Sequence, residues 1–148
     1  SSHGEDERAP GGVCTGGTSG DQAKGQTAMA TCLQKSPDIQ LFYTIHEPAA
    51  AGAYTALKNA GKADKVTIVS VDGGCAGVRN VKAGVIAATS QQYPLKMASR
   101  GVQAVVNYAK TGKKVSGYTD TGVTLITAKP AAGVPSKGLA FGLANCWG

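Results

Sequence analysis

The sequence predicts an α/β fold, an open parallel sheet with helices on both faces, from two observations. β-rich runs alternate with helix-forming stretches from Val13 to Gly112, and one run, VTIVSV (Val66 to Val71), is hydrophobic almost without interruption. Such a strand suits a sheet covered on both sides, and alternation of strand and helix gives parallel neighbours joined by right-handed crossovers. At 148 residues the chain has the size of one ordinary domain.

A polar arm, Ser1 to Gly12, precedes a short strand at Val13-Cys14 and a Gly/Ser/Thr turn from Thr15 to Gly20. Ser19 with Gln22 three residues on resembles a capping box, and Ala23, Ala30 and Leu33 mark the apolar stripe of the helix AKGQTAMATCLQK, which Pro37-Asp38 closes. IQLFYTI (Ile39 to Ile45) reads as a strand. It meets His46-Glu47-Pro48, where Pro48 suits the first helical position because the N–H there would be unpaired anyway. The helix AAAGAYTALKNAG places Ala50, Tyr54 and Leu57 on one face and stops at Gly61 in the left-handed conformation. VTIVSV is followed by a short helix, AGVRNVKAG, and a strand, VIAATSQQ (Val85 to Gln92). Pro94 opens a long helix with Ala98, Val102, Val105 and Ala109 at helical spacing, ended by Gly112. A last strand, GVTLIT (Gly122 to Thr127), a Pro/Gly loop and a terminal helix around Leu139 to Ala144 complete the chain.

The formal charge is +6. Lys and Arg are spread singly, with only Lys113 and Lys114 adjacent, and no zinc-finger or RNP-like pattern accompanies them. A solvated surface is therefore expected, with no nucleic-acid partner. Cys14, Cys32, Cys75 and Cys146 lack CxxC spacing, so neither a zinc site nor a thioredoxin-like motif is expected. An even number of widely spaced thiols fits disulfides in an oxidising compartment; four buried reduced cysteines are the alternative. No apolar run approaches the ~20 residues of a membrane span, and the first residues, SSHGEDERAP, are polar, so export would rest on a segment outside this sequence.

Parallel sheets of this kind bind ligands at the carboxyl ends of their strands. His46-Glu47 follow IQLFYTI, Asp72 follows VTIVSV, and Ser90-Gln91-Gln92 end VIAATSQQ, so the strand tips present hydrogen-bonding groups to one rim. A carboxylate accepts from two vicinal hydroxyls and a carboxamide both donates and accepts, so Asp72 with Gln92 suits a polyol. Gly73-Gly74 allow a sharp turn and close backbone approach. The plainer role for Asp72 is to cap the helix beginning near Ala76. For His46 it is a structural hydrogen bond, and Glu47 is most simply an N-cap or a favourable charge at the positive end of its helix. No nucleophile motif, HxxxH, EF-hand loop, Walker A or post-strand GxGxxG is present, and no carboxylate pair suited to glycoside hydrolysis, so neither catalysis nor a cofactor or metal is expected.

DQAKGQTAMATCLQKSPDI, YTIHEPAAAGAYTALKNAGK, VTIVSVDGGCAGVRNVKAGVIAATSQQYPLKMASRGV and DTGVTLITAKP together resemble the carboxy-terminal half of bacterial periplasmic sugar-binding proteins of the ribose/fructose type, the solute-binding components of ABC importers. The similarity runs from Asp21 to Gly148 and includes the CWG ending. It implies a type I binding protein of two α/β lobes that close on a monosaccharide, periplasmic or secreted, with an ABC permease as partner. Ligand contacts carry over to Asp72 and Gln92, which match, and to His46, where the family usually has Asn. Gly20 stands where ribose-type relatives place an aromatic, and Gly16-Gly17 replace more polar residues of fructose-type relatives. The resemblance further implies pairing of Cys14 with Cys32 and of Cys75 with Cys146.

Family members are roughly twice this size. By analogy, residues 1–92 form the sugar-binding segment of the carboxy-terminal lobe, 93–120 a crossover helix belonging to the other lobe, and 121–148 a return strand and tail. An isolated chain would then expose the helix after Pro94. A proteolytic fragment, a partner chain supplying the first lobe, or a swapped second copy would account for the length. Two alternatives share parts of this reading: the effector-binding domain of a sugar-responsive transcription regulator, disfavoured by the cysteines and the lack of a helix-turn-helix, and a basic defence-type protein unrelated to transport.

Overall fold

The computed structural model describes residues 12–148; the polar arm up to residue 11, with His3, lies outside them. The elements are α1 (Gln22–Lys35), β1 (Leu41–Thr44), α2 (Glu47–Asn59), β2 (Thr67–Asp72), α3 (Cys75–Lys82), β3 (Ala88–Gln91), α4 (Pro94–Thr111), β4 (Thr124–Thr127) and α5 (Leu139–Asn145). They form an open four-stranded sheet in the order β1-β2-β3-β4.

β1, β2 and β3 run parallel, with Leu41 opposite Thr67 and Asp72 opposite Gln91. β4 runs antiparallel to β3, pairing Thr127 with Ala88, so the sheet is mixed. β1, β2 and β3 are spatial neighbours in chain order, and right-handed crossovers of that kind carry α2 and α3 on one face. Along β2, Ile68 and Ser70 are buried while Thr67 is exposed and Val69 and Val71 are half-buried. The face bearing Val69 and Val71 is thus less completely covered.

The core joins Met29 of α1, Ala50, Ala53 and Leu57 of α2, Ile68 of β2, Val81 of α3 and Ile86. α1 and α2 approach backbone to backbone. A Cβ on Gly52 would lie 1.9 Å from the Gln22 carbonyl oxygen, and one on Gly25 would lie 2.4 Å from that of Ala49. Small residues at this crossing let two helices of modest hydrophobicity bury each other, which compensates for the scarcity of aromatics.

Several local expectations change. Val13-Cys14 form no strand: a strand needs a hydrogen-bonded neighbour, and among the described residues none lies beside this pair. The N-cap of α1 is Asp21, whose carboxylate accepts the Lys24 N–H at 2.8 Å. Ser19 cannot fill that role because Gly20 follows it at φ +73°, outside helical space. β3 begins only at Ala88, since the N–H groups of Val85 and Ile86 turn back to the Asn80 carbonyl and close α3. Gly61 and Gly112 take left-handed φ values of 65° and 69°, as expected of helix stops.

α4 contains no buried residue. Val102 and Val105, at the heart of the stripe read from its sequence, are 64% and 68% exposed. Among the described residues no helix is long and apolar enough to cross a membrane.

Candidate functional site

The carboxyl ends of β1, β2 and β3 bring the residues singled out by the sequence to one rim. His46 is the residue before α2, Asp72 is the last residue of β2, and Gln92 follows β3. Nδ1 of His46 stands 3.5 Å from Oδ2 of Asp72, close enough to pair when the imidazole is protonated. Gln92 donates its backbone N–H to the Asp72 carbonyl at 2.9 Å, and its side chain is partly exposed. The side chains of His46 and Asp72 are 46% and 19% exposed, so both keep hydrogen-bonding capacity for a ligand. An added Cβ on Gly20 would come within 3.1 Å of the His46 ring, which places the turn before α1 against the same edge.

Asp72 has a φ of 134°, a backbone region that residues with a Cβ rarely adopt. Such strain persists only where the surroundings enforce it, and it is typical of functional positions. Gly73 follows at φ 69°, where a Cβ would lie 2.3 Å from Cα of Gln91. The chain thus turns after Asp72 over the backbone of Gln91, where only glycine fits next. Asp72 does not cap α3: Gly74 is the N-cap, without a side-chain bond.

Glu47 is not the N-cap of α2, a place held by His46; it is the acidic residue of that helix's first turn, as the other expectation had it, and it does more than that. It is the first residue of α2, and its buried carboxylate reaches beneath the β2–α3 turn. Oε1 accepts the Gly73 N–H at 2.9 Å and the Thr89 hydroxyl at 2.6 Å, while Oε2 accepts the Gly74 N–H at 3.2 Å. It thus satisfies donors at the amino end of α3, a different helix from its own. Burial pushes its carboxyl above the ordinary glutamate range, opposed by the Thr89 hydroxyl and the Gly73 and Gly74 N–H groups and assisted by the negative charge of Asp72.

Gln91 departs from the rim set. Strand alternation turns Thr89 and Gln91 inward and Ser90 the other way. Buried Nε2 of Gln91 donates to the carbonyls of Gly73 at 2.9 Å and Gly142 at 3.0 Å, tying the turn to α5. Both peptide groups flanking Gly73 are therefore gripped by side chains, Glu47 at its N–H and Gln91 at its C=O. The sequence reading missed this support; the signal available was the period of two along β3, which separates Gln91 from Ser90 and Gln92.

Cys14 is bonded to Cys32 and Cys75 to Cys146, the pairs implied by the resemblance. The second bond fastens the tail beside the rim, where Cys75 donates its N–H to the Trp147 carbonyl at 2.9 Å and the Trp147 indole donates to the Asp72 carbonyl at 3.3 Å. A concavity of about 340 Å³ lined by Tyr93, Leu95, Phe141 and Trp147 lies on this side and includes none of His46, Asp72 and Gln92. Among the described residues no cluster of His, Cys, Asp or Glu could hold a metal ion.

Open α/β sheets bind ligands at the carboxyl ends of their strands, and His46, Asp72 and Gln92 stand at that edge here. Residues 7–114 match the family described as periplasmic binding protein domain, and the chain belongs to that family. It is 39% identical over 95 residues to the ribose import binding protein RbsB of Salmonella typhimurium, covering 64% of this chain and 31% of that protein. It is 33% identical to the D-allose-binding periplasmic protein of Escherichia coli, covering 64% of this chain and 30% of that one. Among solved structures, an ABC transporter solute-binding protein of Burkholderia multivorans aligns with TM-score 0.67 and 28% identity over 73% of this chain and 38% of its own. One from Agrobacterium vitis with bound D-fucose aligns with TM-score 0.63 and 29% identity over 74% and 38%. The matches span about a third of the length of the curated relatives.

Proposed function

We propose that this chain contributes part of a monosaccharide site in a solute-binding component of an ABC sugar importer. The observation that carries the reading is the meeting of Asp72, His46 and Gln92 at the carboxyl edge of the sheet. Asp72 accepts from two adjacent ring hydroxyls, His46 and Gln92 donate and accept beside it, and the pairing of Asp72 with His46 yields when a ligand supplies better partners. The relatives named for ribose and allose support a pentose or hexose as the ligand class.

Two disulfides support an oxidising compartment, the periplasm or the exterior. The exposed apolar residues of α4 support assignment of residues 93–120 to a second lobe, with 1–92 and 121–148 forming the segment described above. That lobe, or a second copy of the chain, would close the other side of the cleft, and an importer permease would receive the loaded protein. Amide shift mapping by NMR with ribose, allose, fructose and galactose tests the site. Perturbations centred on His46, Asp72 and Gln92 are expected for at least one sugar; perturbations confined to the Phe141–Trp147 concavity would move the site elsewhere.

A further inference from the structure

We infer that Glu47 is a positioning residue for the site: its charge, spread over the Gly73 and Gly74 N–H groups and the Thr89 hydroxyl, holds the β2–α3 turn in the form that aims Asp72 at the rim. The inference deepens the monosaccharide-site reading and rests on it only for its effect on affinity.

The geometry is independent of any ligand. Gly73 and Gly74 follow Asp72 directly, and the φ of 134° at Asp72 must be enforced by what grips the next residues. Glu47 takes both N–H groups, and Gln91 takes the Gly73 carbonyl. Gly77 of α3 is pressed so closely on the carboxylate that a Cβ there would lie 1.8 Å from Cδ of Glu47. Gly77 thus closes off the α3 side of the carboxylate. Three donors on two oxygens suit the anion, which only accepts. A protonated acid or an amide turns one of those positions into a donor, which then confronts a backbone N–H or forces Thr89 to reverse.

Among titratable groups, Asp72 acts on it through its negative charge, and His46 is the residue before it in the chain. From β3 and α3 it meets Thr89 and Gly77, which are uncharged. A change of charge at Glu47 reaches Asp72 through the Gly73 and Gly74 peptide groups that it holds, besides the direct repulsion between the two carboxylates.

The test is a pH titration of the ligand-free protein by NMR, following the Gly73 and Gly74 amides and the backbone shifts of Asp72, in the wild type and in Glu47→Gln. In the wild type these signals should move together with one midpoint above the ordinary glutamate range, and in Glu47→Gln that transition should be absent. Monosaccharide affinity should fall through the same midpoint in the wild type. In Glu47→Gln it should be about 10- to 100-fold weaker at neutral pH, the loss expected for a charged hydrogen-bonded group. If the variant does not fold, the wild-type titration alone decides. Amides of Gly73 and Gly74 that do not follow Glu47, or Asp72 shifts indifferent to its charge, overturn the inference. Amides and Asp72 that follow Glu47 in a protein without affinity for any sugar uphold the positioning and overturn the ligand assignment.

Discussion

The indole Nε1 of Trp147 donates to the backbone carbonyl of Asp72 at 3.3 Å, joining residues 75 apart in sequence. Trp147 is the single tryptophan of the chain. Its emission therefore reports on the turn that carries the candidate ligand group. Saturation with a bound monosaccharide should change the intensity or wavelength of that emission, whereas Asp72→Asn should abolish the change at the same sugar concentration. A fluorescence titration checks both. An emission unaffected by a sugar that demonstrably binds would place ligand away from Asp72.

Glycines of the chain should differ sharply in their tolerance of alanine. Gly73→Ala must accept φ 69° and a contact at 2.3 Å to the backbone of Gln91, and is expected to cost on the order of 3 kcal/mol. Gly61→Ala meets nothing within 4 Å and carries only the left-handed backbone penalty of about 1 kcal/mol. Urea midpoints of the two variants measure the contrast, which vanishes if the turn can relax.

The cross-links close loops of 18 and 71 residues. On loop entropy alone these are worth about 3 and about 4.5 kcal/mol, so the double replacement of Cys75 and Cys146 by Ala should be the more damaging. It should also release Trp147 from Asp72, seen as a red-shifted emission in the still-folded variant. Thermal melts with parallel fluorescence separate loss of stability from loss of the tail contact.

Stability should respond to pH through Glu47. Its folded carboxyl lies above the ordinary range because burial penalises the charge. The folded state therefore holds this proton more tightly than the unfolded state, so the group's contribution to stability is present below the ordinary glutamate value and is lost as pH rises through the raised folded value. Glu47→Gln should remove that pH-dependent step while leaving the rest of the profile. Denaturation midpoints collected across the acid range decide it; a profile unchanged in the variant would contradict the burial of charge.

Substitutions on the outer stripe of α4 should be nearly silent in the isolated chain. Val102→Ser and Val105→Ser remove apolar groups that are already exposed, and changes within about 0.5 kcal/mol are expected. Sedimentation of wild type and double variant adds a second reading: if wild type self-associates and the variant does not, this face is covered by another copy.

Much of the fold was legible because the strongest signals are local. The nearly uninterrupted apolar run at β2, Pro94 opening α4 and Gly112 after it each state their structure within a few residues. The apolar ends of predicted strands were less legible: Val85 and Ile86 look like strand residues but serve to end α3, because the hydrogen bonds that decide between the two depend on Asn80. The antiparallel return of β4 is likewise a property of its path through a distant helix. At the site, Asp72 announced itself by sitting between an apolar strand and two glycines. Glu47 did not, since a glutamate at the first turn of a helix is an ordinary charge in sequence, and only the fold reveals that it caps a neighbouring helix from below. Gln91 was hidden by its neighbours Ser90 and Gln92, which differ from it only in the face they occupy.

Whether Asp72 holds a sugar is decided by isothermal titration calorimetry with ribose, allose, fructose and galactose on wild type and Asp72→Asn at neutral pH. At least one of these sugars should give heat of binding in the wild type, with affinity falling about 10-fold or more in Asp72→Asn. Equal affinity in the two proteins would contradict Asp72 as the hydroxyl acceptor, and no heat from any sugar would contradict binding by this chain.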